Sequence, residues 1–275
     1  MTAKKFTFSR LLNYVFIYGL SIAVCLPVLN IFISAFKSNA DIMRSRLLPT
    51  IFLFDNFARV LQTEIFYSGM FNSIIITGGA LLLGTALCTM SAYPLARCKQ
   101  KIYTAIYMLF LSAMMIPSVA NMVPLYSLMR SLGLLNSRIG MILLYASNMS
   151  MGVLLFTSFI KTVPAEIESS AEIDGCNYFQ RFWFITVPLL KPVTVTYIMI
   201  SILGIWNDFL LPMLFLSERG KQTITLAVYT FKNERGTDWG AIFALMSLAV
   251  LIPMLLFISN QRYFFKGMTL GALKG

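Results

Sequence analysis

The feature that most constrains this chain is a set of charge-free apolar stretches, each too long to be the buried face of a soluble helix. They cover 11–36, 65–96, 102–129, 139–160 and 239–261, and a sixth, 192–216, is interrupted only by Asp208. About 30 Å of hydrocarbon, crossed at 1.5 Å per residue, needs roughly 20 apolar residues. The stretches therefore predict six spans, at about 11–36, 70–96, 102–127, 139–160, 192–216 and 239–261. Backbone groups in lipid must hydrogen-bond within the chain, so an all-α integral membrane protein is expected, a single transmembrane domain over 1–275. Composition agrees: charged residues make up 12% against roughly 25% in soluble domains, and 58% of the chain is apolar.

Orientation follows from where the basic residues collect. Lys4, Lys5 and Arg10 precede the first span, Arg97, Lys99 and Lys101 fill the tight second connection, and Arg262, Lys266 and Lys274 follow the last. None of these segments holds an acid, and an even number of spans puts all three on one side, expected to be cytoplasmic. The opposite connections mix their basic residues with Asp41, Asp55, Glu64, Glu218, Glu234 and Asp238. The first apolar stretch is too long for the core of a secretory signal and lacks a small-residue cleavage pattern, so it is read as the first helix. Asp55 is the expected N-cap of a short helix through Leu61 in the first external connection. The net charge of +11 suits juxtamembrane topology and anionic lipid rather than nucleic acid, for which no basic-aromatic face exists.

Much chemistry is excluded outright. The chain has no His, and its cysteines, Cys25, Cys88, Cys98 and Cys176, show no CxxC spacing, so neither a catalytic site nor a metal site is expected. No phosphate-binding Gly-x4-Gly-Lys-Ser/Thr loop is present; Gly220-Lys221-Gln222-Thr223 lacks the upstream glycine.

The segment between the fourth and fifth spans, 161–191, is too polar to cross the membrane and too patterned to be a linker. Pro164 suits a first helical position, with Glu166 and Glu168 where the helix dipole favours negative charge. Ile167 and Ala171 share one face and Glu168 and Glu172 another, while Gly175 is placed to end the helix in a left-handed cap. Asn177 with Gln180 forms a capping box for a second helix, 178–186, closed off by Pro188 and Pro192. An acidic face beside an apolar one suits docking to a protein partner; the alternative is a helix lying on the bilayer.

The run Pro164-Ala165-Glu166-Ile167-Glu168-Ser169-Ser170-Ala171-Glu172-Ile173-Asp174-Gly175, followed by Phe182, Ile185, Pro188 and Pro192, resembles the EAA loop of ATP-binding cassette importer permeases. More narrowly, the chain is similar to the second permease of the carbohydrate-uptake, maltose-transporter type. The resemblance includes Asn72-Ser73, Pro124-Leu125-Tyr126, Trp206-Asn207-Asp208-Phe209, Gly236-Thr237-Asp238-Trp239 and the tail from Gly267 to Gly275. It implies a type I importer permease fold of six transmembrane helices with cytoplasmic coupling helices, in a bacterial or archaeal cytoplasmic membrane with both termini inside. It also implies ATPase-coupling roles for Glu166, Ile167, Glu168, Ser169, Ser170, Ala171, Glu172, Asp174 and Gly175. The pattern has a glutamate where this chain has Ser169, which leaves Glu168 or Glu172 as its replacement. Implied partners are a second permease in a heterodimer, two ATPase subunits that carry ATP and Mg, and an extracytoplasmic solute-binding protein. This chain itself is expected to bind no cofactor.

Asp208 is the only acid inside an expected span. A charge there costs roughly 2.5–3.5 kcal/mol, so it must face the bundle interior or a wet cavity. It is either a hydrogen-bond node between helices or a solute contact. Asn121, Tyr145, Asn148, Ser150, Trp206 and Asn207 are the other candidates for a translocation pathway, because sugars stack on aromatic faces and match polar side chains. Such residues also serve as interhelical glue. Pro117, Pro124 and Pro253 are expected to kink their spans. An ion-coupled secondary transporter is the alternative function, although one intramembrane acid and no His fit it poorly.

Overall fold

Helix is the only regular structure among the described residues, 8–235 and 238–272, of the computed structural model. In chain order the α-helices are α1 (Phe8–Ser34), α2 (Asn39–Met43), α3 (Asp55–Leu61), α4 (Glu64–Arg97) and α5 (Lys101–Ala113). A 3-10 turn, Ser118–Asn121, leads into α6 (Met122–Ser131), α7 (Arg138–Ser147), α8 (Ser150–Ile160), α9 (Ala165–Ile173) and α10 (Tyr178–Gln180). A π-helical turn, Arg181–Thr186, continues into α11 (Val187–Leu189), α12 (Lys191–Asn207), α13 (Leu210–Phe215), α14 (Ile224–Arg235) and α15 (Trp239–Ala272).

Three helices are long and apolar enough to cross a membrane unbroken, over Leu12–Ser34, Glu64–Arg97 and Trp239–Gln261. The other expected spans are interrupted. The fourth bends by 47° between α7 and α8, and the fifth joins a segment, Tyr178–Leu189, that bends by 69° into α12. Counting each bent pair as one span gives up to five.

The third expected span, 102–127, ends as a continuous helix at Ala113 and resumes only at Met122. Each break has a local cause. Pro117 has no N–H, disfavours helix in the residue before it, and is itself extended at ψ 125°. Asn148 leaves helical geometry at ψ 68° beside Ser147 and close to Ser150, residue types whose short polar side chains compete for backbone partners. Asp208 is extended at ψ 130°. Pro253, by contrast, lies within the unbroken α15, as Pro94 does within α4; membrane helices in general tolerate proline where other groups re-satisfy the carbonyl it frees.

The chain divides into two compact units, 1–67 with 228–251, and 68–227 with 252–275. In the first, α1 is exposed from Leu12 to Asn30, as a lipid-facing helix would be. Its end is fastened by the buried Asn56, whose Nδ2 donates to the carbonyls of Ala35 (2.8 Å) and Lys37 (3.0 Å). The α3 helix starts one residue earlier than expected, with Phe54 as its cap and Asp55 inside it. Asp41 is held below its ordinary carboxylate range by the Thr50 hydroxyl and N–H, with Ser38 and Arg46 adding to the effect.

In the second unit α4 is the central spine. Toward one end Cys88, Ala92 and Tyr93 pack with Val153, Phe156 and Ile160 of α8 and with Leu190, Val193 and Tyr197. Gly152 lies so close to Cys88 and Tyr197 that any side chain there would collide. Toward the other end Ile76 packs with Met129, Met141, Phe215, Leu216 and Leu226. There Asn72 donates to the carbonyls of Gly220 and Gln222, both at 2.9 Å, and accepts from Arg138 Nε at 2.6 Å. Ser73 accepts from the Ile224 N–H at 2.8 Å. The Asn72-Ser73 pair thus holds an irregular connection against the spine.

Candidate functional site

The helix–glycine–helix segment forms as expected, with its first helix one residue late: Pro164 is the cap of α9 rather than its first residue. Gly175 adopts φ +89°, and the Cys176 N–H reaches back to the Ala171 carbonyl at 2.9 Å. This is the bond pattern of a left-handed C-terminal cap. Asn177 and Gln180 make the reciprocal capping box, at 2.9 and 2.8 Å. The second helix departs from expectation in part. After one α-turn it widens into the π-turn Arg181–Thr186 and continues past Pro188 to Leu189, and it ends between the two prolines, where the chain bends by 69° into α12.

The orientation of α9 corrects the sequence reading. Glu168 and Ala171 face inward and are buried, whereas Ile167 is 43% and Ile173 87% exposed. The acids do not form a common outward face. The Glu168 Oε1 accepts from Arg97 Nε (2.9 Å) and Thr186 Oγ1 (3.2 Å) and pairs with Arg97 Nη2 (2.8 Å), while Oε2 accepts from Tyr93 Oη (3.0 Å). Arg97 Nη2 also donates to the Val163 carbonyl at 3.1 Å. Glu172 is exposed and pairs with Arg181 across the glycine corner. Ser169 and Ser170 turn their hydroxyls back to the carbonyls of Ala165 (3.2 Å) and Glu166 (2.9 Å).

The outward surface is therefore Glu166, Ile167, Ser169, Ser170, Glu172, Ile173, Asp174 and Gly175, with Phe179 and Phe184 exposed on the following helix. This surface mixes carboxylates, hydroxyls and apolar side chains. Removing one side of a buried ion pair costs about 3–5 kcal/mol, so Glu168 is committed to the interior of its own chain.

Sequence reasoning missed Tyr93, Arg97 and Thr186, having read Arg97 only as a topology charge. A signal was available. Tyr93 and Arg97 lie four residues apart on one face of α4, where an arginine closes a long charge-free run. The rings of Tyr178 and Phe182 stand 4.9 and 5.2 Å from that of Tyr93, so the contact between α4 and the loop is both polar and aromatic.

Of the pathway candidates, the structure joins Tyr145 and Asp208 directly: Tyr145 Oη donates to Asp208 Oδ2 at 2.9 Å. The other oxygen of Asp208 accepts from the N–H groups of Leu210 (2.9 Å) and Leu211 (3.3 Å). Asp208 therefore sits at the break between two helices, where it caps α13. Trp206 is buried and its carbonyl accepts from Thr225 Oγ1 at 2.7 Å. Asn121, Asn148 and Asn207 are exposed, and Ser150 begins α8. The motif residues Gly236 and Thr237, and Leu273 to Gly275 of the tail, lie outside the described residues.

Comparison with known proteins places these features in context. Residues 84–270 match the family model described as "Binding-protein-dependent transport system inner membrane component". The melibiose/raffinose/stachyose import permease protein MelC of Bacillus subtilis strain 168 is 33% identical over 252 residues, 91% of each chain. The diacetylchitobiose uptake system permease protein DasC of Streptomyces coelicolor is 30% identical over 275 residues, covering 99% of this chain and 100% of that one. Among solved structures, a chain of a bacterial ABC transporter that imports the acidic polysaccharide alginate superposes with TM-score 0.84 at 23% identity, over 96% of this chain and 99% of that one.

Proposed function

Because the chain belongs to the family of binding-protein-dependent transport system inner membrane components, we propose that it is the permease subunit through which an ATP-driven importer moves a sugar or oligosaccharide. It is a multi-pass membrane transport subunit, not an enzyme, with an all-α permease fold. Family membership sets aside the ion-coupled secondary transporter. The observation that carries the mechanistic reading is the 161–191 loop, a capped helix–glycine–helix unit built onto the end of α4 with an exposed surface for a partner.

In this reading the partners are a second permease, paired as a heterodimer, two cytoplasmic ATPase subunits that bind ATP with Mg, and an extracytoplasmic solute-binding protein. Closure of the ATPases shifts the coupling helices, and the permease pair alternates between inward and outward openings. The chain lies in a bacterial or archaeal cytoplasmic membrane with both termini and the coupling loop inside. Glu166, Ile167, Ser169, Ser170, Glu172, Asp174 and Gly175 form the ATPase-facing surface, and Ala171 packs beneath it. The sugar assignment is supported by the relatives named for oligosaccharide import.

The test is reconstitution of the complex in proteoliposomes with labelled di-, tri- and tetrasaccharides. Uptake is expected to need ATP on the ATPase side and binding protein on the other, and to be unaffected by a protonophore. Uptake without ATP that collapses with the ion gradient would overturn the reading.

A further inference from the structure

We propose that Glu168 is a positioning residue that fastens the coupling helix to the cytoplasmic end of α4, so that α4 is the span that moves with that helix as one body. The inference deepens the permease reading and rests on it. Along the chain, α9 is joined to α8 by residues 161–164 and to α12 through the glycine corner. It has no nearby covalent link to α4. What joins them is one buried carboxylate whose two oxygens receive donors from Tyr93 and Arg97 on α4 and from Thr186 on the π-turn.

The geometry restrains rotation as well as distance. Arg97 reaches the Val163 carbonyl just before α9 and Glu168 near its middle, so it holds the helix at two points. Tyr93, one turn earlier on α4, takes the opposite carboxylate oxygen. A 9-residue helix is marginal by itself, so its placement depends on such tertiary ties. A single exposed ion pair would let the helix swivel; this network does not.

The experiment uses the assembled complex with nitroxide labels at the exposed Ala165 and Lys99, in a background with the native cysteines replaced. In the otherwise unaltered chain, the distance between the labels is expected to stay the same between the resting and the nucleotide-trapped complex. Glu168→Gln is expected to make that distance nucleotide-dependent, and to lower the solute moved per ATP hydrolysed at least about fivefold, the low end of ordinary coupling energies. Recovery of the ATPase in a pull-down should be unchanged, which a general folding defect would not allow.

If Glu168→Gln does not assemble, the double variant Tyr93→Phe with Thr186→Val, which keeps the ion pair, is expected to show a smaller change of the same kind. A label distance that already shifts in the unaltered complex overturns the inference. So does a Glu168→Gln complex, or in its absence the double variant, that moves solute at the original ratio. Absence of ATP-dependent uptake by the unaltered complex would overturn the permease reading, and this inference with it.

Discussion

At Gly175 the backbone φ of +89° is the restraint, because a Cβ built there would meet nothing within 4 Å. A substitution is opposed by conformation alone, at roughly 1–2 kcal/mol for a residue with a side chain and more for a β-branched one. Gly175→Val is therefore expected to leave the protein in the membrane yet tilt everything beyond the corner, reducing solute-stimulated ATP hydrolysis by the complex. Gly175→Asn, which tolerates positive φ better, should retain more of it. Equal activity in both variants would show that the corner does not transmit motion. Glu168 and Glu172 differ in a second way at this scale. Their spacing allows a shared face, but Arg97 captures Glu168, because a buried carboxylate must find donors wherever the fold offers them, while the exposed Glu172 pairs with Arg181.

Among the elements, the broken spans depart furthest from the sequence reading. An apolar run long enough to cross the bilayer looks the same in sequence whether or not its helix is continuous, so hydropathy alone could not place the breaks after Ala113, at Asn148 and at Asp208. Asp208 was legible as an intramembrane acid, and in the fold it caps α13 and receives the Tyr145 hydroxyl from α7. Asp208→Ala is expected to cost about 0.5–2 kcal/mol for the cap, with a further ~1–3 kcal/mol for the orphaned hydroxyl. Thermal unfolding of the purified complex in detergent measures this loss. Asp208→Asn keeps an acceptor for the cap and should lose less. If the residue is a node, Tyr145→Phe leaves the half-saturating solute concentration for uptake unaltered. A shift of about tenfold, roughly 1.4 kcal/mol of binding, would make it a solute contact instead.

For the whole molecule, the basic and acid-free connections predict that the 161–191 loop faces the cytoplasm. A cysteine placed at the exposed Ser169, in a background with the native cysteines replaced, should resist an impermeant thiol reagent added to intact cells and react once the membrane is opened. Labelling from outside would invert the topology. What the sequence by itself determined was the class and the signature: helices, because lipid leaves backbone groups no other partner, and a family, because the Pro164–Gly175 run is accompanied by further motifs that together extend over nearly the whole chain. The Gly175 corner and the Asn177–Gln180 box were also legible, since both are local backbone chemistry settled within a few residues. Only tertiary structure decided that Glu168 points inward, that Arg97 is a strut rather than a free topology charge, and that Tyr145 meets Asp208. Those outcomes depend on which donors and apolar surfaces lie opposite, across gaps of 71 residues for Arg97 and Glu168 and 63 for Tyr145 and Asp208, and no local pattern encodes what stands on the far side.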